Sequence, residues 1–192
     1  MARLSRNAEV LRYLLEIAPR LGHTQLAKFA YLGDLLARQC LGRPISEMEY
    51  RFDNYGPFDA VGFYQARDEL IEGGYIRHER ADIGGYAGFE MRPTDVPVEY
   101  HLGDAEVEIL RWVAQKYAAL TATELCNRVV YTSPPMRNAT PGRHLDMEQM
   151  DRKPEELEFS LERMLAGEES ADEGRVRPLA DVLNELHARY HG

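Results

Sequence analysis

Apolar residues recur at helical spacing along most of this chain, and Gly or Pro interrupts the pattern between successive stretches. This spacing predicts a first helix over about residues 5–18. Thr24 is placed to cap a second helix, and Asp59, Asp104 and Thr121 can each cap a further one, because their side-chain oxygens can accept hydrogen bonds from the free N–H groups of a first turn. The sequence therefore indicates a mainly α fold.

Two short parts of the chain have β character instead. Apolar and charged residues alternate over 47–53, which is the period of a half-buried strand. Residues 54–59, Asn-Tyr-Gly-Pro-Phe-Asp, predict a turn because Gly and Pro restrict the backbone. Residues 75–78 and 87–91 flank Gly84-Gly85 and predict a hairpin. We expect a compact helical domain with a small antiparallel β-sheet, an α+β arrangement.

Charge is unevenly distributed along the chain. The hydrophobic fraction of 44% is enough for a packed core, and the net charge is −9. That charge argues against a sequence-independent nucleic-acid binder, which needs basic side chains to displace counterions. Between Asp146 and Glu173 there are 11 acidic residues and 3 basic ones. We predict a domain over 1–140 and an acidic helical tail over 141–192. The acidic segment is either a solvated face or a docking surface for a basic partner.

The sequence also bears on where the protein acts. No apolar run approaches the length that spans a bilayer, and the first residues enter an amphipathic pattern without an apolar signal core. We therefore expect a cytoplasmic protein. Cys40 and Cys126 lie far apart among apolar residues, which favours buried thiols.

Residue groupings that carry out catalysis are missing from the sequence. The six histidines show no metal-ligand pairing with a nearby acid. Ser46, Ser133 and Cys126 lack the context of an activated nucleophile, and Gly84-Gly85 is not followed by the helix and Lys of a phosphate-binding loop. We expect a non-enzymatic protein with no catalytic residues, no metal site and no cofactor.

Four segments together resemble one protein family. Gln25–Leu32 is similar to the opening helix of the Panacea domain family, the SocA-like antitoxins. Arg51–Phe58 resembles the family's Tyr-Gly-Pro turn, and Leu70–Ile76 resembles the Leu-x-x-x-Gly-x-Ile segment that follows it. Glu106–Ala139 resembles the second half of the family, although Met136 follows the proline where an aromatic residue is usual.

The C-terminal tail carries a second resemblance. Residues 157–167 and 171–186 are similar to the tails of many bacterial toxin-binding antitoxins, in which a Gly-Arg-Val turn precedes a short amphipathic helix. The two resemblances imply an antitoxin of a bacterial or phage toxin–antitoxin system that binds its toxin directly. They also imply that the toxin is encoded by an adjacent gene, and that a protease is a further partner, as in the SocA-like case.

The resemblance and the apolar stripes together suggest which residues contact the toxin. The expected contact residues are Tyr55 and Phe58 on the domain and Leu161, Leu165, Val176, Leu179, Leu183 and Leu186 on the tail. Lys28, Tyr31, Gly56 and Pro57 are singled out as a structural motif. The Tyr-Gly-Pro-Phe element is either a contact surface or a structural turn, and these are compatible. As a turn, it predicts a backbone conformation of Gly56 that a Cβ disfavours. Lys28 and Tyr31 are either functional or a snorkelling Lys beside a core Tyr.

A winged-helix transcriptional regulator is the alternative interpretation of the same elements. The predicted hairpin and the helices around it could place residues 121–131 in a DNA groove. That helix offers only Asn127 and Arg128 as residues that could read bases. In this alternative, the DNA bound is therefore the protein's own promoter, and the binding regulates its own expression.

Overall fold

The structure is a computed structural model that describes residues 3–19, 21–83 and 86–151. Its helices are α1 (Arg6–Ile17), α2 (His23–Leu41), α3 (Ala60–Glu72), α4 (Asp104–Tyr117), α5 (Ala122–Leu125) and α6 (Pro134–Arg137). Its strands are β1 (Arg51–Asp53), β2 (Gly56–Phe58), β3 (Ile76–Ile83) and β4 (Tyr86–Pro93). A π-helical turn, Cys126–Val130, continues α5, and a 3-10 helix spans Met147–Asp151. The predicted mainly α fold with small antiparallel β structure is confirmed.

Helix α2 lies at the centre of the domain. It packs against α1, α4, β2 and the 3-10 helix. Leu26, Phe29 and Tyr31 are fully buried on it, as are Lys28 and Asp34. A helix that is buried on most of its faces must satisfy its polar side chains internally. The partners of Lys28, Tyr31 and Asp34 therefore determine how the neighbouring loops are held.

Side-chain caps mark the starts of three of the six described α-helices. Ser5 caps α1, Asp59 caps α3 and Thr121 caps α5, each through a side-chain oxygen that accepts a backbone N–H. The caps predicted at Thr24 and Asp104 were wrong, because both residues lie inside the first turn of helices capped by Gly22 and Gly103. Gly22 forms an isolated antiparallel β-bridge with Glu90 of β4, so the extended backbone ends at Gly22 and α2 begins at the next residue. At the start of α4, Gly103 donates its N–H to the carboxylate of Glu106.

The β structure forms two separate sheets of two strands each, β1–β2 and β3–β4. The strand predicted over 47–53 is confined to β1. The preceding residues are not in a strand because their N–H groups bond elsewhere: Glu47 N donates to Asn7 Oδ1 over 2.8 Å and Glu49 N to Asp59 Oδ2 over 3.0 Å. The predicted hairpin is present as β3–β4, longer than expected.

The packed part of the chain continues beyond residue 140. Arg143 O accepts a hydrogen bond from Phe52 N, and Leu145 N donates to Tyr50 O, so this segment lies along the free edge of β1. Leu145 and Met150 are both buried. The described residues just after position 140 therefore pack against the rest of the described structure. Part of the predicted tail lies outside the described residues, including Leu161, Leu165, Val176, Leu179, Leu183 and Leu186.

Candidate partner-binding site

Tyr55 lies at the apex of the β1–β2 hairpin. Asp53 pairs with Gly56, so only Asn54 and Tyr55 form the loop between the strands. Gly56 has a φ of 89°, in the left-handed region that a Cβ disfavours, as the sequence led us to expect. The side chain of Tyr55 is 74% exposed, more than any other large hydrophobic side chain in the described part of the chain.

Lys28 holds the second strand of this hairpin from inside the domain. Its Nζ donates a hydrogen bond to the carbonyl oxygen of Pro57 over 2.6 Å, and the residue is only 1% exposed. Burial lowers the pKa of Lys28 to about 8, against smaller effects of Cys126 and Asp53 that raise it. The side chain does not snorkel to solvent, so that interpretation of Lys28 was wrong.

The π-helical turn after α5 holds the other side of the hairpin. Cys126 Sγ donates to the carbonyl oxygen of Tyr55 over 3.6 Å. A Cβ built on Gly56 would lie 3.4 Å from the ring of Tyr131 and 3.5 Å from the side chain of Val130. The backbone of the turn is therefore packed closely on one side, while the Tyr55 ring extends into solvent on the other.

Tyr31 and Asp34 anchor the loops next to the hairpin. Tyr31 is fully buried and its hydroxyl shares a 2.7 Å hydrogen bond with Ser133 Oγ. Asp34 accepts hydrogen bonds from the N–H groups of Ile45 and Ser46 and from the hydroxyl of Tyr50. Burial raises the pKa of Asp34, and these hydrogen bonds oppose the rise. Asp34 thus holds the segment that leads into β1, and the ring of Tyr31 packs 5.2 Å from that of Tyr50 in the same segment, which supports the structural interpretation of Tyr31.

Phe58 lies at the far end of β2 from Tyr55 and is half-buried. Its ring centroid is 5.3 Å from that of Phe63 and 5.7 Å from that of Tyr64. The guanidinium of Arg67 stacks 4.6 Å above the ring of Tyr64, which is 40% exposed. Tyr55 and Phe58, the two expected contact residues on the domain, therefore belong to one hairpin but differ in exposure.

A groove of about 660 Å³ runs beside this hairpin. Its walls come from β1, the end of β2, the start of α3 and two loops, and they include Phe52, Phe58 and Val61 as apolar residues. Its charged lining residues are Glu47, Glu49, Asp53, Asp59 and Arg51. The groove thus combines an apolar wall with an excess of carboxylates.

Comparison with known proteins identifies the family of this chain. Residues 26–132 match the family described as antitoxin SocA-like, Panacea domain, which is more than half of the chain. The chain belongs to this family. The comparison finds no similar curated protein and no similar solved structure. The Panacea match begins inside α2 and includes Lys28, Tyr31 and the whole Tyr55 hairpin.

A row of aromatic rings joins the start of α2 to the β3–β4 hairpin. His23 Nε2 and His78 Nε2 lie 3.0 Å apart, so one ring donates a hydrogen bond to the other. The ring of Phe89 is 4.7 Å from that of His78. Burial, followed by the charges of His78 and Arg67, lowers the pKa of His23 to about 4. Burial also lowers the pKa of His78, so both rings favour the neutral form near pH 7.

The Panacea domain also shows what sequence reasoning missed. No local pattern marks Cys126 as a partner of the Tyr55 carbonyl, or Glu47, Glu49 and Val61 as neighbours in one groove. Each of these contacts joins residues far apart in the chain or on different elements.

The two residues that could read DNA bases, Asn127 and Arg128, are both exposed on the π-helical turn. Arg128 is paired with Glu124 at 3.4 Å. Within residues 3–19, 21–83 and 86–151, no group of three or more potential metal ligands occurs. No helix in that same part of the chain is long and apolar enough to cross a membrane.

Proposed function

We propose that this chain is the antitoxin of a bacterial or phage toxin–antitoxin system, and that it neutralises its toxin by direct, non-catalytic binding in the cytoplasm. Membership of the SocA-like Panacea family supports an antitoxin role. The observation that carries the binding mode is the exposure of Tyr55 on a hairpin whose backbone is held from two sides.

A fixed, exposed aromatic residue suits a protein contact. A Tyr ring buries a large area and has few rotatable bonds, so it loses little conformational entropy when it binds. Lys28 and Cys126 hold the carbonyl groups of Pro57 and Tyr55, so the loop is ordered before a partner arrives. Preordering of this kind lowers the cost of association.

The tail contributes a second contact in this proposal. Its apolar residues Leu161, Leu165, Val176, Leu179, Leu183 and Leu186 recur at helical spacing, and its carboxylates would attract a basic toxin. Once bound, the toxin is either held in the complex or delivered to a protease. Toxin levels measured on an immunoblot distinguish these two fates.

The test is co-expression with the product of the adjacent gene. The parent chain and Phe89→Ala, a control at another exposed aromatic residue, should both restore growth. Tyr55→Ala should restore it poorly and retain less toxin in a pull-down, with an unchanged circular dichroism spectrum. If the parent fails to restore growth, the proposed function is wrong. If Tyr55→Ala matches the parent, the hairpin is not the contact surface.

A further inference from the structure

Of the four carboxylates in the groove beside the β1–β2 hairpin, two accept hydrogen bonds from the described residues and two do not. Asp59 accepts hydrogen bonds from the N–H groups of Gly62 and Glu49, and Asp53 accepts one from Asn54. The carboxylates of Glu47 and Glu49 make no hydrogen bond or ion pair within the described residues, and both residues are exposed.

An apolar side chain stands next to these carboxylates. Val61, on the first turn of α3, is 67% exposed, although burial of a Val side chain away from water is normally favourable in free energy. Phe52 and Phe58 are half-buried in the same groove. Singly exposed apolar residues are common, but one beside two half-buried rings forms a concave apolar surface.

The negative charge of the residues that line the groove indicates which kind of ligand it can bind. Four carboxylates face one guanidinium, that of Arg51, and the only other ionisable lining residue is His144 on the opposite loop. A nucleic acid would be repelled by this excess of negative charge. The protein's own segment between Asp146 and Glu173 is also acidic and would be repelled in the same way.

We propose that this groove binds an extended segment of the toxin in which Arg or Lys residues adjoin an apolar residue. The cationic groups pair with Glu47 and Glu49, and the apolar side chain packs on Val61 and Phe58. This inference rests on the proposed function, and it assigns to the groove a contact separate from that of Tyr55. In this proposal the groove contributes to specificity for the toxin, while the Tyr55 ring contributes apolar surface that is buried in the complex.

A peptide experiment tests the groove without the toxin. The full-length chain is titrated with a fluorescein-labelled Arg-Leu-Arg-Leu-Arg peptide and with the same peptide carrying neutral citrulline in place of Arg. At low salt the Arg peptide should bind more tightly than the citrulline peptide. The double variant Glu47→Gln, Glu49→Gln should weaken Arg-peptide binding about fivefold to tenfold, and added salt should reduce the difference.

Matched variants show where the peptide binds. Asp95→Asn with Glu99→Gln removes two exposed carboxylates outside the groove, and Glu168→Gln with Glu169→Gln removes two from the tail. Val61→Ser should weaken binding about threefold, while Val96→Ser, at another exposed Val, should not. If the tail pair weakens binding and the groove pair does not, the tail is the basic-segment site and the proposal is overturned. Absence of Arg-peptide binding to the parent also overturns it.

Measurements with the toxin itself then distinguish the proposed function from the groove proposal. Growth rescue by the parent reports on the proposed function, and peptide binding reports on the groove. The groove proposal requires the Glu47→Gln, Glu49→Gln variant to bind the adjacent gene product about tenfold more weakly than the Asp95→Asn, Glu99→Gln control. Equal affinities of these two variants for that product overturn the groove assignment even where the parent restores growth.

Discussion

The ammonium group of Lys28 lies 2.6 Å from the carbonyl oxygen of Pro57, inside a domain where the lysine is almost completely excluded from water. A buried charge costs free energy, and this one is compensated by a hydrogen bond to a backbone carbonyl group. Lys28 therefore links the central helix directly to the hairpin that presents Tyr55. The proposed binding surface therefore depends on a residue that is too deeply buried for a partner to contact.

Lys28→Met should separate stability from binding. The substitution removes a buried charge, which stabilises the fold, but leaves the Pro57 carbonyl without its donor, which destabilises it. We expect the free energy of unfolding to change by less than about 1 kcal/mol because these effects oppose each other. Toxin affinity should fall about tenfold or more because the hairpin is no longer held. Chemical denaturation and calorimetric titration measure the two quantities.

The same variant has a pH signature. The pKa of Lys28 is about 8 in the folded protein against 10.5 ordinarily, so the unfolded chain binds more protons between these values. The contribution of Lys28 to stability therefore rises as the pH rises from about 8 towards 10.5. The stability difference between the parent and Lys28→Met should move in the parent's favour over that interval. A constant difference would contradict the burial of a charged Lys28.

Gly56→Val should destabilise the domain by about 1–3 kcal/mol because the φ of Gly56 is strained for any residue with a Cβ. Gly74 is the matched control, since its φ is 73° but no atom lies within 4 Å of a Cβ built there. Thermal melts should show a comparable loss for Gly74→Val. Only Gly56→Val should also weaken toxin binding, because a Cβ at Gly56 already lies in contact with Tyr131 and Val130, at 3.4 and 3.5 Å, so the larger Val side chain would displace the turn next to Tyr55.

The pairing of His23 with His78 predicts acid sensitivity. The pKa of His23 is lowered to about 4 from 6.5, so the unfolded chain binds more protons than the folded one between these values. Stability should therefore fall as the pH falls from about 6.5 to 4. His23→Phe keeps a ring in the aromatic row and removes this titration. Its melting temperature should drop less between pH 7 and pH 5 than that of the parent, and an equal drop would contradict the assignment.

Features set by local chemistry were predictable from the sequence. Asp59 and Thr121 were identified as caps because a cap bonds within its own first turn. The left-handed φ of Gly56 was predictable because the Tyr-Gly-Pro turn restricts the backbone over a few residues.

Features that depend on distant residues were not predictable in the same way. The alternating pattern over 47–50 suggested a strand, but Asn7 and Asp59 accept the N–H bonds that a strand partner would have taken. The burial of Lys28 depends on a carbonyl group 29 residues away, and a Lys on a helix ordinarily reaches solvent. The groove brings together residues from several elements, which a periodicity cannot reveal.

Random duplex DNA should bind weakly. The net charge of −9 and the pairing of Arg128 with Glu124 leave few cations for phosphate contacts. In a gel-shift assay near physiological salt we expect no retained duplex at low micromolar protein, roughly the range in which non-specific binders begin to retain DNA. Tight retention would instead favour the winged-helix interpretation. A duplex carrying the protein's own promoter tests autoregulation in the same gel.

The tail should carry a measurable share of toxin binding. The spacing of Leu179, Val182, Leu183 and Leu186 in the sequence predicts an apolar stripe on a short helix, and short isolated helices are marginal in water. Docking that stripe into a toxin groove would contribute about 1.5–3 kcal/mol for each buried Leu. Leu183→Asp together with Leu186→Asp should therefore weaken toxin affinity by about two to four orders of magnitude.

The comparison that decides the role of the tail uses three chains against the adjacent gene product. They are the parent, the Leu183→Asp, Leu186→Asp variant, and a truncation ending at Asp151, which keeps every residue that the structure describes. We expect both to lose affinity, and the truncation to lose at least as much as the variant, because it also removes the other apolar residues and most of the carboxylates of the tail. If both restore growth as well as the parent, toxin binding lies in the Panacea domain, and the apolar stripe of the tail does not face the toxin.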